Sequence, residues 1–160
     1  MGRVVTIGVY GFTRERFLEA LEAADVSLLL DVRDRRGVRG SEYAWANARR
    51  LEGALSEAGI TYSHRKDLAT PAAIRAMQYT EDRRLGVSQR GRTSLAPEVR
   101  DRYRAEVLSA VDLAGLVESL PDAGATALLC VEAEPAACHR SLIAERLADA
   151  HGVEIEHLVP

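Results

Sequence analysis

The 160-residue sequence contains no apolar run of about 18 residues, the length a membrane-crossing helix requires, so no transmembrane segment is expected. It opens Met1-Gly2-Arg3-Val4-Val5 and enters a strand pattern at once, so no signal peptide is expected either. Only two cysteines occur, Cys130 and Cys138, and with no secretory signal that count favours reduced thiols in a cytoplasm over a disulfide framework. Lysine is nearly missing: Lys66 is the only one, and the remaining cationic side chains are arginines. The net charge of −3 argues against a general nucleic-acid coat, no membrane partner is expected, and the oligomeric state is left open. No internal repeat or low-complexity tract is present.

Several chemical signatures are missing too. Gly8-Val9-Tyr10-Gly11 is not a dinucleotide-binding glycine fingerprint, and no phosphate loop with its lysine occurs. Cys130 and Arg140 lie too far apart for the Cys-x5-Arg loop of cysteine phosphatases, whereas Arg140 follows Cys138 too soon. Cys130, Cys138 and His139 offer zinc-type ligands without a fourth at a recognised spacing, so no metal and no cofactor is expected.

What is present is an ordinary globular composition, 47% hydrophobic and 28% charged, enough for one domain with a core spanning residues 1–160. Residues 3–8 are rich in β-formers and end at glycine. Thr13 is a natural N-cap for a helix over residues 14–24, in which Phe17, Leu18, Leu21 and Ala24 share one face. A nearly all-apolar strand follows at 26–32, then an Arg/Gly loop. A helix is expected at 47–58, stopped by Gly59, and a short strand at 60–64. Irregular structure with one short helix at 71–79 comes next. The pattern then predicts a long helix at 98–120 with a break near Asp112, and a strand at 125–131. The last helix opens at Pro135 or His139 and ends at Gly152, before a closing strand at 153–158. This alternation predicts an α/β fold: a three-layer α/β/α sandwich with a mainly parallel, Rossmann-like sheet of about five strands.

In such a sheet ligands bind beyond the carboxyl ends of the strands. Gly8-Val9-Tyr10-Gly11 follows the first strand, Asp31-Val32-Arg33 closes the second, and Cys130-Val131-Glu132 closes the fourth. If those strands are neighbours, the three groups converge with Cys138-His139-Arg140-Ser141 at the start of the last helix. There the Cys138 thiolate, favoured by the helix terminus and by His139 and Arg140, would be a nucleophile or redox thiol. Asp31 or Glu132 would be the general acid/base. Arg33, Arg140 and Ser141 at the helix start would hold an anion, with His139 and Tyr10 as further binding residues.

Each residue has a plainer alternative. Cys130 suits a small buried core position, Asp31 a structural ion pair with Arg33 or Arg140, and Arg140 a clamp reaching Asp31 or Glu132. The leading expectation is an enzyme acting on an anionic small molecule, phosphorylated or nucleotide-like. The alternative is a non-catalytic module binding nucleic acid or a nucleotide through two arginine clusters, Arg33 to Arg39 and Arg83 to Arg104. A third reading makes the Cys/His/Arg set a purely structural staple.

At these residues the chain resembles domain-of-unknown-function family 488 (DUF488). The shared features are Thr6-Ile7-Gly8, Asp31-Val32-Arg33 and the helix-to-strand turn Leu55-Ser56-Glu57-Ala58-Gly59-Ile60. To these are added Leu128-Leu129-Cys130-Val131-Glu132 and Cys138-His139-Arg140-Ser141-Leu142-Ile143-Ala144, which are the most specific. Val9-Tyr10 stands where members commonly carry His-Ser, and Asp34 to Gly40 replaces a proline-containing Ser/Arg segment. The resemblance implies the fold and leaves the reaction unassigned.

Overall fold

The computed structural model describes residues 2–160. Five strands form one parallel sheet: β1 (Arg3–Ile7), β2 (Val26–Asp31), β3 (Thr61–His64), β4 (Ala125–Leu129) and β5 (Ile155–Leu158). Their spatial order is β3-β2-β4-β1-β5. Strands β2, β4 and β1 are mostly apolar because both of their faces are covered. The edge strands β3 and β5 can be more polar, and they are. Register places Arg3 beside Ala125 and Ile7 beside Leu129, while Asp31 pairs with Leu129 from the other side.

Right-handed crossovers account for the layering. The chain steps one way along the sheet from β1 to β3, which puts α1 (Arg14–Ala23) and α2 (Ala48–Glu57) on one face. It then turns back through β4 to β5, which puts α3 (Ala72–Leu85), α4 (Pro97–Glu106), α5 (Leu113–Ser119) and α6 (His139–His151) on the other. Strand alternation serves both layers. Val5, Ile7, Leu29 and Leu129 meet Phe17, Leu21, Leu51 and Leu55, while Val4, Leu30 and Leu128 meet Ile74, Tyr103, Leu142 and Ile143. The expected α/β/α sandwich is therefore present. It has its own strand order, since β4 lies between β1 and β2.

Local chemistry sets most of the boundaries. Thr13 Oγ1 accepts from Arg16 N at 3.2 Å and opens α1 as expected. The helix predicted at 98–120 is divided near Asp112, as expected, into α4, a 3-10 turn at Leu108–Ala110, and α5. The cause is Asp112, whose carboxylate accepts from Gly115 N at 2.9 Å and so starts a new helix. The short helix predicted at 71–79 instead runs to Leu85. Arg83 and Arg84 suit its last turn, and Gly86 closes it at φ 70°.

One glycine is demanded by a close approach. A Cβ on Gly8 would collide with the Glu132 carbonyl oxygen, which is backbone and cannot swing aside. The same turn is fastened by Val9 N and Tyr10 N, both donating to Val131 O at 2.9 Å. Gly53, inside α2, has open space where a Cβ would stand. Gly8→Ala is expected to cost about 1–3 kcal/mol, and Gly53→Ala to add about 0.5–1 kcal/mol. Urea unfolding of both variants measures the contrast, and equal midpoints would contradict it.

Candidate active site

The neighbours of β4 are β2 and β1, so the carboxyl ends of those three strands meet. Connections leave β1 and β4 toward opposite faces, which opens a crevice between them. A cavity of about 580 Å³ occupies it. Arg35, Arg39 and Tyr79 line its exposed side, while Cys130, Glu132, Cys138 and His139 line its buried end.

At the buried end His139 is the organising residue. Its Nε2 lies 2.9 Å from Val32 O, and since a carbonyl only accepts, Nε2 carries the proton. Nδ1 is thereby turned toward two thiols, 3.7 Å from Cys130 Sγ and 3.9 Å from Cys138 Sγ. The Tyr103 ring packs on the imidazole with centroids 5.3 Å apart, and its hydroxyl donates to Leu68 O at 2.6 Å. Glu132 Oε2 stands 3.8 Å from Cys130 Sγ.

The two sulfurs are electrostatically unequal. Burial works against a Cys138 thiolate, but the Cys130 thiol, Arg140 and His139 together outweigh it and hold Cys138 well below the ordinary thiol range. Cys130 is pushed up by Cys138 and by burial. Burial above all, and then the Cys138 charge, raise Glu132 to about 7 against the opposing pull of Arg92. The arrangement can therefore supply a thiolate and, close by, a carboxyl group able to hold or release a proton near neutrality.

A polar brace from α3 positions this carboxyl. Arg92 donates to Asp82 Oδ2 at 2.6 Å and to Glu132 Oε1 at 3.0 Å, and Gln89 Nε2 reaches the same oxygen at 3.1 Å. Gln78 donates to Asp82 Oδ1 at 2.8 Å and accepts from Ala96 N at 2.8 Å, tying down the loop that carries Arg92. None of these four residues was singled out from the sequence as part of the site. The i,i+4 pair Gln78/Asp82 on one helix face was the available signal. Arg92 fell in the second arginine cluster, but its partners, ten and forty residues away, carried no sequence signal.

The remaining predicted residues fall into two groups. Tyr10 lines the cavity, with the Arg90 guanidinium 5.1 Å over its ring. Asp31 and Arg33 are consumed by each other: Arg33 Nε and Nη2 donate to the two carboxylate oxygens at 2.9 and 2.8 Å. Tyr62 also donates to Asp31 Oδ2 at 2.6 Å, and Arg33 Nη1 donates to Ala46 O at 2.9 Å. Asp31 does not line the cavity, so it is a structural carboxylate and not an acid/base at the buried end. Arg140 is fully buried and its Nη1 donates to Glu132 O at 2.6 Å, which makes it a clamp on the turn after β4 instead of an anion holder. Ser141 Oγ donates to Cys138 O at 2.8 Å and is likewise spent.

The arginine clusters separate in the same way. Arg36 pairs with Glu52, Arg84 with Glu81, Arg90 with Glu42, Arg102 with Glu106, and Arg104 with Glu145. Among the described residues, the guanidiniums of Arg35 and Arg39 make no hydrogen bond or ion pair.

Residues 13–147 match the family described as domain of unknown function DUF488. Among solved structures, the chain is similar to a conserved hypothetical protein from Aeropyrum pernix K1, at 16% identity and a TM-score of 0.45. That match covers 99% of this chain and 38% of the other, so the chain spans well under half of its length. No curated protein matches the chain.

The Asp82–Arg92 brace predicts an acid limb of stability. Burial alone would raise the Asp82 carboxyl, yet hydrogen bonds from Arg92 and Gln78 hold it below the usual carboxylate range. A depressed folded value means its contribution is complete above the unfolded value, about 3.9, and is lost as pH falls through the folded one. Asp82→Asn is expected to cost about 3 kcal/mol at neutral pH by removing one of the two carboxylates that compensate the buried Arg92 charge. It should also flatten the fall in stability below about pH 4. Denaturation midpoints against pH for both proteins test this, and parallel curves would refute it.

Proposed function

We propose that the chain, which belongs to the DUF488 family, is an enzyme that takes an anionic small molecule, phosphorylated or nucleotide-like, into the cavity beyond β1, β2 and β4. One observation carries this reading. The guanidiniums of Arg35 and Arg39 have no protein partner, and they stand on a cavity whose other end gathers a thiolate, an imidazole and a carboxyl group. A phosphate oxygen supplies what an unpaired guanidinium lacks, in bidentate geometry. Tyr10 and Tyr79 line the same cavity and give aromatic surface for a base or sugar.

Cys138 is then the sulfur at the reacting centre, and Glu132, near neutrality, is the group that carries the proton. Arg92 and Gln89 orient that carboxyl, and His139 fixes the sulfur from the side opposite Val32 O. Both cysteines are free, which suits a cytoplasm where thiols stay reduced. The alternative, a nucleic-acid module built on arginine clusters, draws less support. Most of those arginines are paired with carboxylates, and Arg33 and Arg92 are buried.

Calorimetric titration with pyrophosphate and nucleoside phosphates tests the reading. The protein should bind with an affinity that falls as salt rises. The double variant Arg35→Glu/Arg39→Glu should bind at least about tenfold more weakly. Cys138→Ser should keep the affinity and lose turnover of the bound compound. No binding, or equal binding by the double variant, ends the proposal. Tighter binding of a nucleic-acid duplex than of any nucleotide favours the alternative.

A further inference from the structure

We infer that Cys130, Cys138 and His139 bind a divalent transition-metal ion of the zinc class, with a fourth coordination position open to the cavity. The three residues come from two places: Cys130 just beyond β4, and Cys138 with His139 at the start of α6. One ligand atom from each lies within 4.8 Å of the other two. Bond lengths of about 2.3 Å to sulfur and 2.0–2.1 Å to nitrogen place tetrahedral ligands about 3.6 Å apart for S···N and about 3.8 Å for S···S. The observed S···N separations are 3.7 and 3.9 Å. The two S···N edges are therefore close to the lengths a metal requires, and the S···S edge is at most 4.8 Å.

The chemistry of the donors agrees. Thiolate and imidazole are the ligands that soft and borderline cations select. His139 anchors its Nε2–H on Val32 O, which fixes the tautomer with the Nδ1 lone pair toward the sulfurs and prevents the ring from turning. Nδ1 and the two sulfurs all offer lone pairs to the space between them, and a cation there receives all three. The trio is 5%, 1% and 9% exposed for Cys130, Cys138 and His139, so water competes weakly for these atoms.

Sequence spacing offered no fourth ligand, and a reactive site does not call for one. Catalytic zinc keeps three protein ligands and leaves a position for water or substrate. All three residues line the cavity, and Glu132 Oε2 lies 3.8 Å from Cys130 Sγ, beside that position. A cation there would act on a compound held by Arg35 and Arg39. The inference rests on the proposed enzymatic reading only for that role, and metal binding stands or falls by itself.

The 160-residue protein, purified reduced and free of chelator, is titrated with Co²⁺ and then Zn²⁺. A single equivalent of cobalt should bind, giving near-ultraviolet sulfur-to-cobalt bands and the strong visible bands of a tetrahedral ion, and zinc should displace it. Cys130→Ser and His139→Ala should lose these bands. Because either variant could fail to fold, the wild-type protein is also alkylated with and without zinc. Both thiols should be protected by zinc and released by a chelator. Absence of sulfur-to-cobalt bands, or alkylation unaffected by zinc, overturns the site. Arg35→Glu/Arg39→Glu should keep the cobalt spectrum while losing anion affinity. Cobalt binding without anion binding in the wild type therefore upholds the metal site and removes the substrate reading, and the reverse result does the opposite.

Discussion

The carbonyl of Glu132 rests on the bare α-carbon of Gly8, and the rest of the site is built from that contact. Arg140 Nη1 donates to the same carbonyl at 2.6 Å. The end of β1, the turn after β4 and the first residues of α6 are thereby held as one unit. The Glu132 side chain leaves this fixed backbone toward the cavity, where Arg92 and Gln89 receive it. Burying a guanidinium as deeply as that of Arg140 is costly unless its donors are used. Here two of them go to the carbonyls of Glu132 and Ala133.

The arginines divide by what they are spent on. Arg33 and Arg140 hold backbone and carboxylate in the interior, and Arg92 links α3 to the turn after β4. Their charges still act at a distance through a poorly screening interior, which is how Arg140 favours the Cys138 thiolate without touching a ligand. Arg35 and Arg39 sit on a polar loop and hold nothing. Interior cations set the electrostatics, and many exposed ones are paired with surface carboxylates.

Much of the fold was legible because it is written in periodicity. Leu28 to Leu30 and Ala127 to Leu129 are apolar because α-helices cover both sides of them, and Thr13 and Asp112 both act as caps. Which strands adjoin was not legible. The convergence of Asp31, Cys130 and Gly8 depended on β4 entering between β1 and β2, and no local signal encodes strand order. The pairing of Asp31 with Arg33, two residues apart, was one of the open readings. The Tyr62 and Ala46 contacts that exhaust the pair were not, since they come from β3 and a distant turn. From the sequence Arg140 fits either an anion holder at a helix start or a clamp reaching Glu132. Folding the β4 turn over it put the guanidinium inside.

The strand order also bears on how the chain is assembled during synthesis. β1 pairs with β4 and β5 and with no strand made in between. A ribosome releasing this chain exposes β1 first, then β2 and β3, which can join each other but leave β1 without a sheet neighbour. The two halves of the sheet become one only when Ala125–Leu129 slides between them as the central strand. Until then the edges of β1 and β2 remain unpaired, the condition that favours association between nascent chains. Completion of the sheet and completion of the cavity are consequently the same late event, because Cys130 and Glu132 arrive on the strand that closes the gap.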